Sequence, residues 1–211
     1  MKYGNLREEY KHATLLETDL LQNPFEMFEK WFEEAKSVDL KDANAMVLSS
    51  TSVDGWPNGR VVLLKGFDTG FVWFTNYLSQ KAQDLDANPK ASLTFWWPRL
   101  ERQVRITGSV SKTSESESDQ YFLSRPIGSQ AGAIASLQSS VIKGRSDLEA
   151  RYAEIFAHAS EEPLKRPEHW GGYRLLPHYF EFWQGRESRL HDRLCYWLKD
   201  GKEWETGRLS P

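Results

Sequence analysis

The chain has 211 residues, a net charge of −3, 39% hydrophobic and 27% charged residues, the balance of one folded domain with a real core rather than a disordered or fibrous chain. The negative charge argues against a general nucleic-acid binder, because even an aromatic-rich stacking platform works beside a basic groove, and nine Trp come here without a basic excess. A single cysteine, Cys195, excludes an internal disulfide framework, and its neighbours Leu194, Tyr196 and Trp197 predict a packed thiol rather than a nucleophile.

Residues 1–22 are charged and mixed, and read as an arm with a short helix at most; 23–211 read as one domain. Asn23-Pro24-Phe25-Glu26 is a helix start, with Asn as cap, Pro in the first turn and Glu at the capping-box position, followed by Phe28, Trp31, Phe32 and Ala35 at helical spacing. From Ala45 the period changes. Ala45–Thr51, Gly59–Gly66 and Phe71–Thr75 are short, rich in Val, Leu and aromatics, and separated by the turn signals Asp54-Gly55-Trp56-Pro57 and Asp68-Thr69-Gly70. Ser79–Ala87 reads as a short helix stopped by Asn88-Pro89; Ala91–Trp97 and Arg102–Lys112 as strands; Ser114–Ser124 as a helix ending before Pro126. Ser146-Asp147-Leu148-Glu149 reads as a second capping box, with Leu148, Tyr152 and Ile155 on one helix face. Residues 163–167 read as loop, 172–184 and 191–199 as strand. The pattern predicts a mainly β fold: a closed or nearly closed antiparallel barrel with peripheral helices. The polar N-terminus has no apolar signal region and no apolar run approaches membrane-spanning length, so a cytoplasmic location is expected.

Familiar signatures are missing: no G-x-G-x-x-G after a strand, no P-loop, no H-E-x-x-H among the five histidines, no G-x-S-x-G elbow. What remains is a set of anion-binding candidates. In an extended chain Arg189, His191 and Arg193 would share one face, and Leu190, Asp192 and Leu194 the other. Two guanidiniums flanking an imidazole suit an anionic planar ligand, since Arg supplies forked donors and His exchanges a proton near neutral pH; ordinary ion pairs on a solvated strand are the plain alternative. Arg60 and Lys65 bracket an apolar run, and a spacing of five places them on opposite faces of a regular strand, serving different groups. Ser79-Gln80-Lys81 opens a helix, where unpaired N–H groups favour a phosphate and a lysine is unfavourable for the helix dipole unless an anion relieves it. Tyr121 and Arg125 are four apart on one helix face. Gln103, Arg105 and Thr107 share a strand face.

Together these runs resemble the pyridoxine/pyridoxamine 5′-phosphate oxidase family. The resemblance is carried, in the family's order, by RVVLLK (60–65), FTNYLSQK (74–81), LERQVRI (100–106), SDQYFLSRPIGSQ (118–130), ASLQSS (135–140), HWGGYRL (169–175), EFWQGRESRLHDR (181–193), the terminal RLSP and the N-terminal Arg7-Glu8-Glu9-Tyr10. It implies an FMN-binding split β-barrel, antiparallel and Greek-key-like, and a homodimer with two flavin sites at the subunit interface, with no nucleic-acid or membrane partner. Residue by residue, it implies Arg60 and Lys81 at the FMN phosphate, with Gln80 beside them. Val61, Val62, Leu63 and Leu64 would line the flavin, partly through backbone, and Lys65, Phe74 and Thr75 would continue that wall. Gln103, Gln138, Ser139, Trp183 and Arg193 fall at the remaining FMN positions. Lys65, Tyr121, Arg125 and Ser129 match the holders of the substrate phosphate; Arg189 and His191 match the catalytic pair beside the substrate ring; Arg7 and Tyr10 match a segment that covers the substrate.

The implied activity is oxidation of pyridoxine or pyridoxamine 5′-phosphate to pyridoxal 5′-phosphate, with oxygen reduced to hydrogen peroxide. The chain departs from common family choices at Gln80, where members carry Arg, at Phe74, where Tyr is frequent, and at Asn58 and Ser210. Gln supplies no charge to a phosphate. Two other readings stand beside the oxidase: a related split-barrel flavin oxidase acting on another substrate, such as a phenazine intermediate, and a non-catalytic protein that binds FMN or pyridoxal phosphate.

Overall fold

Alternation of apolar and polar residues builds the sheet, because successive side chains in a strand point to opposite faces. In the computed structural model, which describes residues 9–11, 13–159 and 162–211, the strands are β1 (Ala45–Thr51), β2 (Pro57–Leu63), β3 (Gly66–Phe67), β4 (Phe71–Asn76), β5 (Lys90–Trp97), β6 (Arg102–Lys112), β7 (Trp170–Gln184), β8 (Asp192–Lys199) and β9 (Glu203–Arg208). All pairings are antiparallel, in the order β2-β1-β5-β6-β7-β4-β3, with β8 on the other half of β7 and β9 beyond it. The long β7 is the hinge of the design: 170–175 pair with β4, and 179–184 with β8. The β6–β7 register slips between Thr107 and Gly108. A Cβ at Gly108 would stand 2.1 Å from the Leu176 carbonyl oxygen, so only glycine permits this close strand approach. The result is an antiparallel split barrel, as expected.

Aromatics from α1 fill the inner face of the sheet. Asn23 caps α1 (Pro24–Val38) by accepting from the Phe25 N–H. The helix buries Met27, Phe28, Trp31 and Ala35; Phe28 packs at 4.9 Å from Phe71 and 5.1 Å from Phe95, and Trp31 at 5.2 Å from Phe182. Each such ring, fully buried, stabilises by about 1.5–3 kcal/mol. Described residues of the expected arm reach the barrel: Leu15 is in the core, and the Tyr196 hydroxyl donates to the Leu21 carbonyl. Arg7 lies outside the described residues.

The remaining helices are α2 (Gln80–Ala87), α3 (Glu115–Ser124), α4 (Ile127–Ala135) and α5 (Arg145–His158). Helix α5 starts one residue before the expected cap, with Gly144 rather than Ser146 at the N-cap. The turn at 187–189 overturns the strand parity expected there: Glu187–Arg189 is a 3₁₀ turn with Ser188 and Arg189 at φ 53° and 60°, and the strand begins only at Asp192. Leu190 is therefore exposed, while Asp192 and Leu194 face inward and Arg193 outward. Among the described residues no helix is long and apolar enough to cross a membrane.

Candidate functional site

Strand β2 ends at Leu63, so the strand parity that would separate Arg60 from Lys65 is lost; both line one cleft of about 920 Å³. Its wall is the outer edge of β2, where Val61 and Leu63 stay exposed. Phe74, Thr75, Tyr121, Arg125, Ser129 and Gln138 complete the lining from β4, α3, α4 and the loop after α4.

One end of the cleft holds Arg60 and Lys81. Lys81 is buried, and among the described residues its Nζ donates only to neutral oxygens: Gln138 Oε1 at 2.5 Å, Thr75 Oγ1 and Ser79 Oγ at 3.2 Å. Burial, then the nearby Arg60 guanidinium, bring its pKa down to about 8. A buried ammonium without a carboxylate partner calls for an anion. Ser139, held at φ 72°, accepts from the Gln80 N–H at the opening of α2. The Gln80 amide turns instead to Asp84, a buried carboxylate that also accepts from Ser50 and Asn58 and lies 3.6 Å from Arg60. Two departures from the family pattern, Gln80 and Asn58, thus belong to one hydrogen-bonded cluster. Asp84, which the sequence reading missed, was signalled by its i+4 spacing from Gln80.

The other end holds Lys65, Tyr121, Arg125 and Ser129. Tyr121 and Arg125 both line this end, though not from one helix face: α3 ends at Ser124, and Arg125 is in extended backbone ahead of Pro126. Tyr121 stacks on Phe74 at 4.0 Å, and Phe74 on Trp170 at 5.6 Å. Arg125 lies over Trp170 at 4.8 Å, and its buried Nη1 has no hydrogen-bond partner among the described residues. That orphaned donor, and Lys81 at the far end, fit two anions in one cleft. The apolar β2 wall and the Phe74 ring between them fit a planar aromatic such as a flavin.

Leu64 does not line the cleft. Its side chain is in the core, and its N–H and carbonyl are bonded to Asn44. Gln103, Trp183, Arg193, Arg189 and His191 also lie elsewhere. Gln103, Trp183 and Arg193 form one row across β6, β7 and β8. Neighbouring it, the register line Val61–Val47–Thr94–Arg105–Glu181 runs from the cleft wall to β7. The two groups therefore share one sheet face, displaced by about 19 Å of strand spacing. Between them Val47, Val61 and Trp96 are exposed, an apolar band of the kind that marks an interface.

At the 187–192 turn, the Arg186 N–H donates to His191 Nδ1 at 3.1 Å. This fixes Nδ1 as the acceptor and leaves the proton on Nε2. Burial, with Arg189 adding to it against Asp192, lowers the imidazole pKa and so favours the neutral ring. Its ring packs 4.7 Å from Trp183 and 5.7 Å from Tyr10. Arg189 is exposed. Cys195 is fully buried beside the Tyr179 hydroxyl, and burial pushes its thiol pKa up, as expected of a packed thiol.

Residues 32–159 match the family model described as pyridoxamine 5′-phosphate oxidase, and residues 170–211 that of the pyridoxine 5′-phosphate oxidase C-terminal dimerisation region, which indicates a homodimer. The chain is 54% identical over 209 residues to a pyridoxine/pyridoxamine 5′-phosphate oxidase of Acaryochloris marina, covering 99% of this chain and 95% of the relative. It is 53% identical over 213 residues to that of Bordetella pertussis, covering both fully. Among solved structures, PhzG from Burkholderia lata, in complex with tetrahydrophenazine-1-carboxylic acid, superposes with a TM-score of 0.88 at 31% identity, covering 94% of this chain and 98% of that one. A pyridoxamine 5′-phosphate oxidase-related, FMN-binding protein from Nostoc punctiforme reaches a TM-score of 0.73 at 15% identity over 91% of this chain and all of that one, a likeness of fold.

Proposed function

Because the chain belongs to the pyridoxamine 5′-phosphate oxidase family, we propose that it is an FMN-dependent oxidase converting pyridoxine or pyridoxamine 5′-phosphate to pyridoxal 5′-phosphate in the cytoplasm. The observation that carries this reading is the pair of cationic ends in one cleft, Arg60 with Lys81 and Lys65 with Arg125, divided by an apolar wall. Two such ends suit two phosphorylated molecules, a cofactor and a substrate.

Bound FMN supplies the two-electron acceptor through which oxygen becomes the final oxidant and leaves as hydrogen peroxide. With the alcohol substrate, the 4′ carbon loses a hydride and the hydroxyl its proton. With the amine, the resulting imine takes up water and releases ammonia. The protein's part is positioning. Arg60 and Lys81 hold the cofactor phosphate, helped by Thr75, Gln138 and Ser139. Lys65, Tyr121, Arg125 and Ser129 hold the substrate phosphate, Arg125 with its unpartnered Nη1. Arg189 and His191 address the substrate ring; a neutral imidazole with its proton on Nε2 is a hydrogen-bond donor there rather than a base.

The displacement of Arg189, His191, Trp183, Gln103 and Arg193 from the cleft supports a site completed across the dimer. Pairing the shared sheet face with a second copy covers its apolar band and brings this group over the partner's cleft. FMN would then lie at the interface.

The structural likeness to PhzG favours one competing reading, a flavin oxidase for a tricyclic carboxylate. A cationic end suits a carboxylate as well as a phosphate, so turnover separates the two readings. Aerobic turnover of FMN-loaded protein with pyridoxine 5′-phosphate, following pyridoxal 5′-phosphate and peroxide together, is expected to give the two in equal amounts. Bound flavin that stays oxidised with this substrate, even without oxygen, overturns the proposal.

A further inference from the structure

Gly185 sits between Trp183 and the 187–189 turn, and no established role of the cleft uses it. It is buried, and its N–H donates to the Glu101 carbonyl at 2.8 Å, which fixes its backbone in place. A Cβ at this position would stand 2.7 Å from Tyr10 Cγ, 2.8 Å from Tyr10 Cβ and 3.0 Å from Tyr10 Cδ2. Its φ is outside the left-handed region, so alanine meets no backbone strain there and the ring of Tyr10 is the obstacle. With glycine, that ring lies edge-on to Trp183 and to His191, each at 5.7 Å between centroids. Lys11 is 3.5 Å from Glu187. Four residues further on, the Leu15 N–H donates to the buried Asp192 carboxylate at 3.1 Å, and the Leu15 side chain enters the core. Tyr10 and Leu15 are therefore the two anchors of a strap, the first seated on a bare glycine backbone and the second on a carboxylate adjacent in sequence to His191.

We propose that Gly185 is a positioning residue: its missing side chain is the seat for Tyr10, and the seated strap holds the His191 imidazole against Trp183 with Nε2–H turned to the ligand. The consequence for turnover rests on the proposed oxidase function; the seat itself does not. A side chain at 185 lifts the strap without touching the cleft that holds the cofactor. The strap then opens more often, and the ring end of the substrate loses a fixed donor.

The test uses full-length, FMN-loaded protein carrying Gly185→Ala, with Tyr10→Ala as the second variant, which leaves the barrel backbone untouched. Trypsin cleavage after Lys11, which follows the open population of the strap, is expected to rise about tenfold in Gly185→Ala. The Michaelis constant for pyridoxine 5′-phosphate is expected to rise about threefold or more, with kcat within about a factor of two and the FMN dissociation constant unchanged. Tyr10→Ala should show the same rise in cleavage and Michaelis constant, and the double variant should add nothing further. Unchanged cleavage in Gly185→Ala, an equal loss of FMN affinity, or fully additive effects would overturn the proposal. If the parent protein failed to oxidise the substrate, the functional reading would fall while the cleavage comparison still decided the seat.

Discussion

Arg193 donates to both oxygens of Glu181, from Nε to Oε1 at 3.0 Å and from Nη2 to Oε2 at 3.2 Å. Glu181 is buried, and Oε2 also accepts from Arg105 and from the Tyr179 hydroxyl. Burial alone would push its pKa up, but Arg193, Tyr179 and Arg105 together hold it below the ordinary 4.5. A carboxylate lowered on folding adds stability above its unfolded pKa and loses it as pH falls through its folded pKa. Glu181→Gln is expected to cost about 3 kcal/mol at pH 7, as for one partner removed from a buried pair, and the difference from the parent should shrink below about pH 4. Urea unfolding at several pH values checks both. It should also weaken FMN binding if Arg193 contacts the flavin.

Lys81 gives two pH slopes of opposite sign. Its folded pKa near 8 lies below the ordinary 10.5, so between these values the unfolded chain holds more protons and apo-protein stability rises with pH. A bound phosphate needs the charged ammonium. FMN affinity is therefore expected to hold near neutrality and to fall above about pH 8, approaching tenfold per unit. Fluorescence titration of FMN and thermal unfolding of the apo-protein read the two slopes, and Lys81→Met should abolish both.

The two ends of the substrate separate kinetically. Arg125→Ala, which removes the orphaned Nη1, is expected to raise the Michaelis constant for phosphorylated substrate about tenfold or more with kcat little changed. Arg189→Ala is expected to lower kcat/KM by about tenfold or more, as loss of a transition-state contact. Steady-state assays with pyridoxine 5′-phosphate distinguish them; an Arg189→Ala variant with parental efficiency would remove that residue from the site.

Val47 is exposed on the sheet face shared by the cleft wall and Glu181, yet it does not line the cleft. Val47→Asp is expected to raise the dimer dissociation constant about a hundredfold, or about 2.7 kcal/mol, and to release FMN as the dimer separates. Sedimentation with absorbance at the flavin band follows both together. FMN retained by a stable monomer would remove the interface from the site.

Legibility followed local pattern. Strands β1, β4, β5 and β6 were readable because one face is buried and the residues alternate. Strand β9 was not, since none of its residues is fully buried and Trp204 is the one large apolar side chain in Glu203–Arg208. Helix α4 escaped notice because Gly128 and Gly132 dilute its helix propensity and Pro126 reads as a stop, although here it is the N-cap. Capping signals located α1 at its cap and α5 to within two residues, the cap there being Gly144, which makes no side-chain bond, rather than Ser146.

The sequence by itself determined the antiparallel β framework and the family, and nominated residues for a flavin and a phosphorylated substrate, because ordered motifs and alternating burial are written along the chain. It could not determine which of those residues meet. Arg60 and Lys65 share a cleft because β2 stops at Leu63. Arg125 lines the same cleft as Tyr121 although α3 stops before it. Arg189 leaves the face of Arg193 because two residues adopt positive φ. Side-chain direction depends on where an element ends, and that is decided by long-range pairing, which no local window contains. The same holds for Asp84, Glu181 and Asp192, carboxylates unremarkable in sequence that become hubs only when distant strands and helices close around them.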